Sequence, residues 1–171
     1  PSGLDAATII GSKSLYFIKG QPFKTFENRV DAYLVVGDSG ILGQTREAVT
    51  DVRKLVDKEP EKYMAIIDDL ARLAEEAKIN IEANRPEALG SNMYEAHQCL
   101  RELTVSNTRL DSLVDAALRA GALGAKLTGG GRGGSMIALC ESESKARDVA
   151  LALKEAGAID TWIARLGEDN E

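Results

Sequence analysis

Residues 126–137 read Lys-Leu-Thr-Gly-Gly-Gly-Arg-Gly-Gly-Ser-Met-Ile, and five of the six from Gly129 to Gly134 are glycine. Glycine admits φ > 0 and lets main-chain N–H groups come close to an approaching group. A run of glycines between two apolar stretches suits a loop that offers several amide donors to an anion such as phosphate. It equally suits a tight turn joining two strands, and its spacing fits neither a Walker loop nor a dinucleotide fingerprint. The flanks add more. Leu127-Thr128 before it and Met136-Ile137-Ala138-Leu139 after it predict a loop pinned between two strands, with Arg132 as a fixed cation beside it.

Outward from this loop, the strands are expected at Ala125–Thr128 and Met136–Cys140. A helix over Lys145–Ala156 stops at Gly157, and a last strand spans Ile159–Ile163. On the N-terminal side, Thr108-x-x-Asp111 has the form of a capping box, and Gly121 ends the helix it opens. Pro86 starts a helix with Leu89, Met93, Ala96, Leu100 and Leu103 on one stripe. A longer helix over 61–83 carries Met64, Ile67, Ala71, Ala74, Ala77 and Ile81. Thr45 is the expected cap of a helix after the strand Ala32–Val36, and residues 14–18 and 23–30 form a hairpin across Gly20-Gln21-Pro22. The order is β-α-α-α-α-β-β-α-β after a hairpin. It predicts an α+β fold: a small antiparallel sheet with helices on one face, ferredoxin-like with extra helices.

Composition narrows the function classes. A chain of 171 residues holds one good core and part of a second domain. Its net charge is −6 with Lys and Arg scattered, and aromatics make up 5%, which argues against nucleic acid or an anionic membrane as partner. Cys99 and Cys140 are too sparse for a disulfide scaffold or a paired-cysteine metal site and suit a reducing compartment, so the expected location is cytoplasmic. The opening Pro1-Ser2-Gly3-Leu4-Asp5-Ala6 reads like the interior of a protein, which suggests a fragment.

Few residues stand out for chemistry. Asp5, at the start of a helical stretch, is a helix-dipole partner or a general base. His97, the lone histidine, lies beside an apolar stripe and suits a structural or surface role, with no second His or Cys at ligand spacing; no metal site is expected. Gly37-Asp38-Ser39-Gly40-Ile41-Leu42-Gly43-Gln44-Thr45-Arg46 is a strand–loop–helix junction. It would either line a polar pocket beside a helix N-terminus or be an irregular connection capped by Thr45.

Three motifs stand in one order: Pro-Ser-Gly-Leu-Asp at 1–5, Asp-Ser-Gly-x-x-Gly-x-Thr-Arg at 38–46 and Lys-Leu-Thr-Gly-Gly-Gly-x-Gly-Gly at 126–134. Together they resemble the C-terminal part of the GHMP kinases, and within them the bacterial mevalonate kinases. Gly121-Ala122-Leu123-Gly124 and the ending Gly157-Ala158-Ile159-Asp160-Thr161-Trp162 add to the likeness, which covers nearly the whole chain. The resemblance implies phosphoryl transfer from ATP to the 5-hydroxyl of mevalonate, with Asp5 as the catalytic aspartate. Ser2, Gly3, Thr45 and Arg46 would then lie at the substrate. Gly129, Gly130, Gly131, Arg132, Gly133 and Gly134 would support the nucleotide phosphate loop.

The family's own phosphate loop, the lysine partner of the aspartate and the metal ligands have no match here. ATP and Mg are therefore expected to be bound mainly by a missing N-terminal part, and the chain alone is expected to be inactive. Residues 1–29 would be a remnant of the N-terminal kinase domain and 30–171 the C-terminal domain. Arg132 and Ser135 depart from the Gly and Cys of many relatives. The other readings kept open are another GHMP kinase, such as phosphomevalonate kinase, and a free-standing ferredoxin-like module for a small ligand. A homodimer is also left open.

Overall fold

The computed structural model describes residues 14–167. A short antiparallel hairpin, β1 (Ser14–Tyr16) and β2 (Lys24–Phe26), precedes the main body. That body runs β3 (Ala32–Asp38), α1 (Thr45–Lys58), α2 (Pro60–Glu82), α3 (Pro86–Glu102), α4 (Thr108–Arg119), β4 (Gly124–Thr128), β5 (Ser135–Cys140), α5 (Glu143–Glu155) and β6 (Asp160–Leu166). The four long strands form one antiparallel sheet in the order β4-β5-β3-β6. This is the ferredoxin-like arrangement expected from the sequence, with α1–α3 inserted between the first strand, β3, and the first crossover helix, α4.

Strand alternation divides the sheet into two faces. Val35, Ala125, Leu127, Met136, Ala138 and Cys140 point to one face, where Leu110, Leu113, Val114 and Ala117 of α4 and Ala146, Val149 and Leu153 of α5 close the main core. Ala32 and Leu139 point the other way. With Leu89 and Met93 of α3, Ala77 and Ile81 of α2, and Leu34 and Ile137, they make a smaller second core. The inserted helices thus cover part of the face that a bare ferredoxin-like unit leaves open. β5 lies between two neighbours and under both layers, which is why its apolar run Met136–Cys140 shows no polar alternation.

Several boundaries move for identifiable reasons. Asn107, not Thr108, caps α4: its side chain accepts the Leu110 N–H at 2.9 Å, and Asp111 turns its carboxylate elsewhere. Ser142 caps α5 through the Lys145 N–H, so the helix starts earlier than its apolar residues suggest. Gln44 rather than Thr45 stands at the α1 cap, without a side-chain hydrogen bond. On α2 the stripe is rotated from the expected one. Tyr63 and Leu73 are buried while Met64 is exposed, and α2 packs on α3 with Leu73 and Ala77 on the facing side.

Candidate functional site

The Asp38-Ser39-Gly40 turn forms because two short side chains satisfy the local backbone. Asp38 Oδ1 accepts the Gly40 N–H at 2.9 Å, and Ser39 Oγ accepts the Ile41 N–H at 3.2 Å. Gly40 sits at φ 72°, and a Cβ there would come within 2.7 Å of Ile159 Cγ2. The turn delivers residues 41–44 against the glycine loop. Ser39 N donates to Gly134 O at 2.9 Å, Gly134 N to Ile41 O at 2.7 Å and Gln44 N to Gly131 O at 3.3 Å.

The glycine loop itself is held on two sides. A Cβ on Gly130 would overlap the Thr45 hydroxyl, and one on Gly131 would overlap Val105 O. One on Gly133 would lie 2.6 Å from both Ile41 O and Leu42 O. Gly129, Gly131, Gly133 and Gly134 all have positive φ. The glycines therefore serve close backbone packing as much as amide presentation, and two loop amides, those of Arg132 and Gly134, are spent on Val105 O and Ile41 O.

Two of the sequence-predicted groups thus meet: Thr45 rests on Gly130, and the loop 129–134 lies against the 39–45 junction. Arg46 is exposed beside them and, among the described residues, makes no side-chain hydrogen bond or ion pair. Arg132 is held from several directions. Its guanidinium contacts Asp51 Oδ2 at 2.8 Å, Thr104 O at 3.0 Å and Thr104 Oγ1 at 3.2 Å, and its hydrogen bond, with help from Lys54, holds the Asp51 carboxyl below its ordinary value. Asp5, Ser2 and Gly3 lie outside the described residues. The same holds for any site they would complete.

A second polar cluster sets the strand that feeds the loop. His97, 1% exposed, accepts the Leu127 N–H on Nδ1 at 3.2 Å, so its Nε2–H faces Asp111 Oδ1 at 3.0 Å. Asp111 also accepts Ser106 Oγ–H at 2.7 Å and stands 3.3 Å from Arg101. Burial pushes the His97 pKa down, against the pull of Asp111, and a ring with an acceptor role on Nδ1 is neutral. The structural role expected for the lone histidine is the one its contacts describe. Beside it, α3 and β4 approach so closely that Gly90 and Gly124 touch through their backbones, and a Cβ on Gly124 would overlap Gly90 O. The sequence reading did not use Gly90; a glycine in mid-helix, costly by itself, was the available signal.

Lys126 Nζ donates to Leu127 O at 2.6 Å, and burial lowers its pKa. It lines a cavity of about 340 Å³ with Leu73 and Ala77 of α2 and Asn92, Met93 and Ala96 of α3. Asn92 is fixed by Glu76 at 3.0 Å and Asn80 at 2.7 Å. Among the described residues there is no group of three or more His, Cys, Asp or Glu able to hold a metal ion, and no helix is long and apolar enough to cross a membrane.

Comparison with known proteins bears on the whole constellation. Residues 75–159 match the model of the GHMP kinases C-terminal family. The chain is 39% identical to the mevalonate kinase of Thermococcus sibiricus over 175 residues, covering 97% of the chain and 51% of that protein. It superposes on the crystal structure of L. major mevalonate kinase in complex with R-mevalonate with a TM-score of 0.86 at 30% identity, covering 97% of this chain and 52% of that one. For mevalonate kinase from methicillin-resistant Staphylococcus aureus the TM-score is 0.75 at 32% identity, with 98% and 53% covered. The chain spans about half the length of the curated relatives it matches. With its ferredoxin-like sheet and its braced glycine loop, it belongs to the GHMP kinase superfamily and carries that superfamily's C-terminal domain.

Proposed function

We propose that this chain is the C-terminal portion of an ATP-dependent mevalonate kinase, which transfers the γ-phosphoryl group of ATP to the 5-hydroxyl of mevalonate. The observation that carries the reading is the seating of the 38–46 junction on the glycine loop, in a chain 39% identical to a mevalonate kinase along nearly all its length. Phosphoryl transfer needs positioning and electrostatic stabilisation more than covalent chemistry by the protein. Thr45 and the exposed guanidinium of Arg46 would face the acceptor, with Ser2 and Gly3 completing that side. Gly129–Gly134 would support the loop that holds the nucleotide phosphates.

Asp5 would take or orient the proton of the 5-hydroxyl as it attacks the γ-phosphorus. Magnesium, when bound, would neutralise charge on the phosphate oxygens; its ligands would come from outside the described residues, among which no group of three or more His, Cys, Asp or Glu could hold a metal ion. Residues 1–29 would belong to the N-terminal kinase domain and 30–171 to the C-terminal domain. The chain alone would be inactive, and the enzyme would work in the cytoplasm on an isoprenoid precursor.

The deciding assay is turnover by the full-length protein with ATP, Mg²⁺ and a panel of acceptors. Mevalonate is expected to be the preferred acceptor, over phosphomevalonate and galactose. Asp5→Asn is expected to lower kcat by roughly 10²–10⁴, the span of a positioned acid–base group, with a much smaller change in ATP affinity. Preference for a phosphorylated acceptor would move the reading to phosphomevalonate kinase, and near wild-type kcat in the variant would remove Asp5 from the mechanism.

A further inference from the structure

Arg132 interrupts the glycine run, yet it adopts φ 54°, in the left-handed region; Thr104, which it contacts, adopts φ 61°. Residues with a Cβ occupy that region at a cost and persist there only where surrounding contacts impose it. Here the contacts are explicit. Arg132 N–H donates to Val105 O at 2.8 Å, Nε to Thr104 O, Nη2 to Thr104 Oγ1 and Nη1 to Asp51 Oδ2. One residue thereby ties together the glycine loop, the turn after α3 and the middle of α1.

The fold does not need this tie to close the turn, since the β4–β5 ladder already pairs Thr128 with Ser135. α1 is a different matter. It fully buries only Ala48, so little apolar contact fixes it to the sheet. The Arg132 side chain is 20% exposed and the Asp51 side chain 39%, a pair more sheltered than the i,i+4 pairs Arg72–Glu76 and Arg147–Glu143.

We propose that Asp51 and Arg132 are positioning residues that hold the glycine loop and the N-terminal turn of α1 in one register, so that nucleotide and acceptor are presented together. The inference rests on the reading of Gly129–Gly134 as nucleotide support and of Thr45 and Arg46 as acceptor-side residues. Neither Asp51 nor Arg132 is asked to touch a reacting atom. Their effect passes through the backbone of the loop on one side and through one and a half turns of α1 on the other.

The test uses the full-length protein with Asp51→Asn, Asp51→Glu, Arg132→Gly and the Asp51→Asn/Arg132→Gly double variant. Amide hydrogen exchange is followed at residues 129–134 and 45–48, alongside KM and kcat for ATP and for mevalonate. In Asp51→Asn and Arg132→Gly, exchange in both segments is expected to rise together by roughly tenfold, with β3 and β5 unchanged. Both KM values should rise severalfold and kcat less. The double variant should be no worse than the stronger single one, because the two residues act as one unit, and Asp51→Glu, which keeps the carboxylate, should stay close to wild type in exchange and in both KM values.

Arg132→Gly separates positioning from stability. It relieves the left-handed strain, so its melting temperature should hold or rise while exchange and KM still increase. Unchanged exchange in both segments, additive losses in the double variant, or KM changes that track melting temperature would overturn the proposal. A wild-type protein that phosphorylates no acceptor would refute the kinase reading, and the exchange measurements would then decide the clamp by themselves.

Discussion

The two edges of the sheet are built to opposite specifications. At the β4 edge, α3 lies against the strand with backbone touching backbone at Gly90 and Gly124, and His97 takes the Leu127 N–H that would otherwise face outward. At the β6 edge, Ile159 is 69% exposed, Trp162 52% and Ile163 40%. An open edge is a row of unpaired donors and acceptors, and covering it with a helix removes both the exposure and the slack. The covered edge is the one that leads into Gly129–Gly134. The difference shows where the molecule needs its backbone held to a fraction of an ångström and where it does not.

The contrast is broken most severely at Gly124. Gly124→Val drives a branched side chain into Gly90 O, and overpacking against backbone that cannot yield is expected to cost about 3 kcal/mol or more in a denaturant unfolding measurement. A variant within about 1 kcal/mol of wild type, the lower end of the usual overpacking range, would show that α3 can slide off the strand.

Next in size is His97→Leu, which leaves the Leu127 N–H without its acceptor and removes one of the partners of Asp111, whose carboxylate keeps Ser106 and Arg101. Unsatisfied buried groups cost roughly 1–3 kcal/mol. The same residue makes stability depend on pH. Because the folded pKa lies below the ordinary 6.5, the unfolded chain binds a proton that the native state refuses. The contribution of the neutral ring is complete above pH 6.5 and is lost as the pH falls below it, with a slope of at most about 1.4 kcal/mol per pH unit. Denaturation curves at pH 7.5 and pH 5.5 should show this loss in wild type, and His97→Leu should flatten it.

Gly131→Ala follows. From the glycine run alone, a Cβ here is expected to impair nucleotide use more than folding. The structure adds a φ of 78° and an overlap with Val105 O, so a loss of about 1–3 kcal/mol in stability is expected as well. Melting temperature measured beside the KM for ATP separates the two: an unchanged melting temperature would mean that the turn after α3 gives way. The smallest effect belongs to the open edge. Trp162→Thr keeps a strand-compatible residue at a half-exposed position and is expected to change stability by roughly 0.5 kcal/mol or less. A large loss would show that something covers the β6 edge in solution and would erase the contrast.

The elements themselves were legible because each carries its own local signal. β5 is a continuous apolar run closed by Cys140, α3 begins at Pro86, and Gly121 and Gly157 both sit at positive φ where their helices stop. Local signals were weaker where two neighbours compete for one role. Asn107 and Thr108 are both good caps, and only the orientation of the entering chain chose between them. The α2 stripe was misplaced because alanines populate several faces of that helix, and a periodicity built on them does not say which face the next helix will take.

The candidate site divides in the same way. Thr45, Arg46 and the glycines were found from motif and spacing, and the structure seats Thr45 on Gly130. Asp51, Thr104 and Val105 could not be found so. They are an ordinary helix carboxylate, a residue after a helix end and a backbone carbonyl, and none has a composition signal.

What the sequence by itself determined is the order and kind of the elements, the pinned glycine loop and the kinase-family resemblance, since periodicity, turn chemistry and motif spacing are properties of neighbours along the chain. Only the tertiary structure decided why Gly130, Gly131 and Gly133 are required, because a Cβ there is excluded by atoms from residues 41–45 and 105, far away in sequence. It alone decided which groups fix Arg132, because the carboxylate that claims it lies 81 positions earlier, on α1. Close approach and charge pairing depend on distances that folding creates.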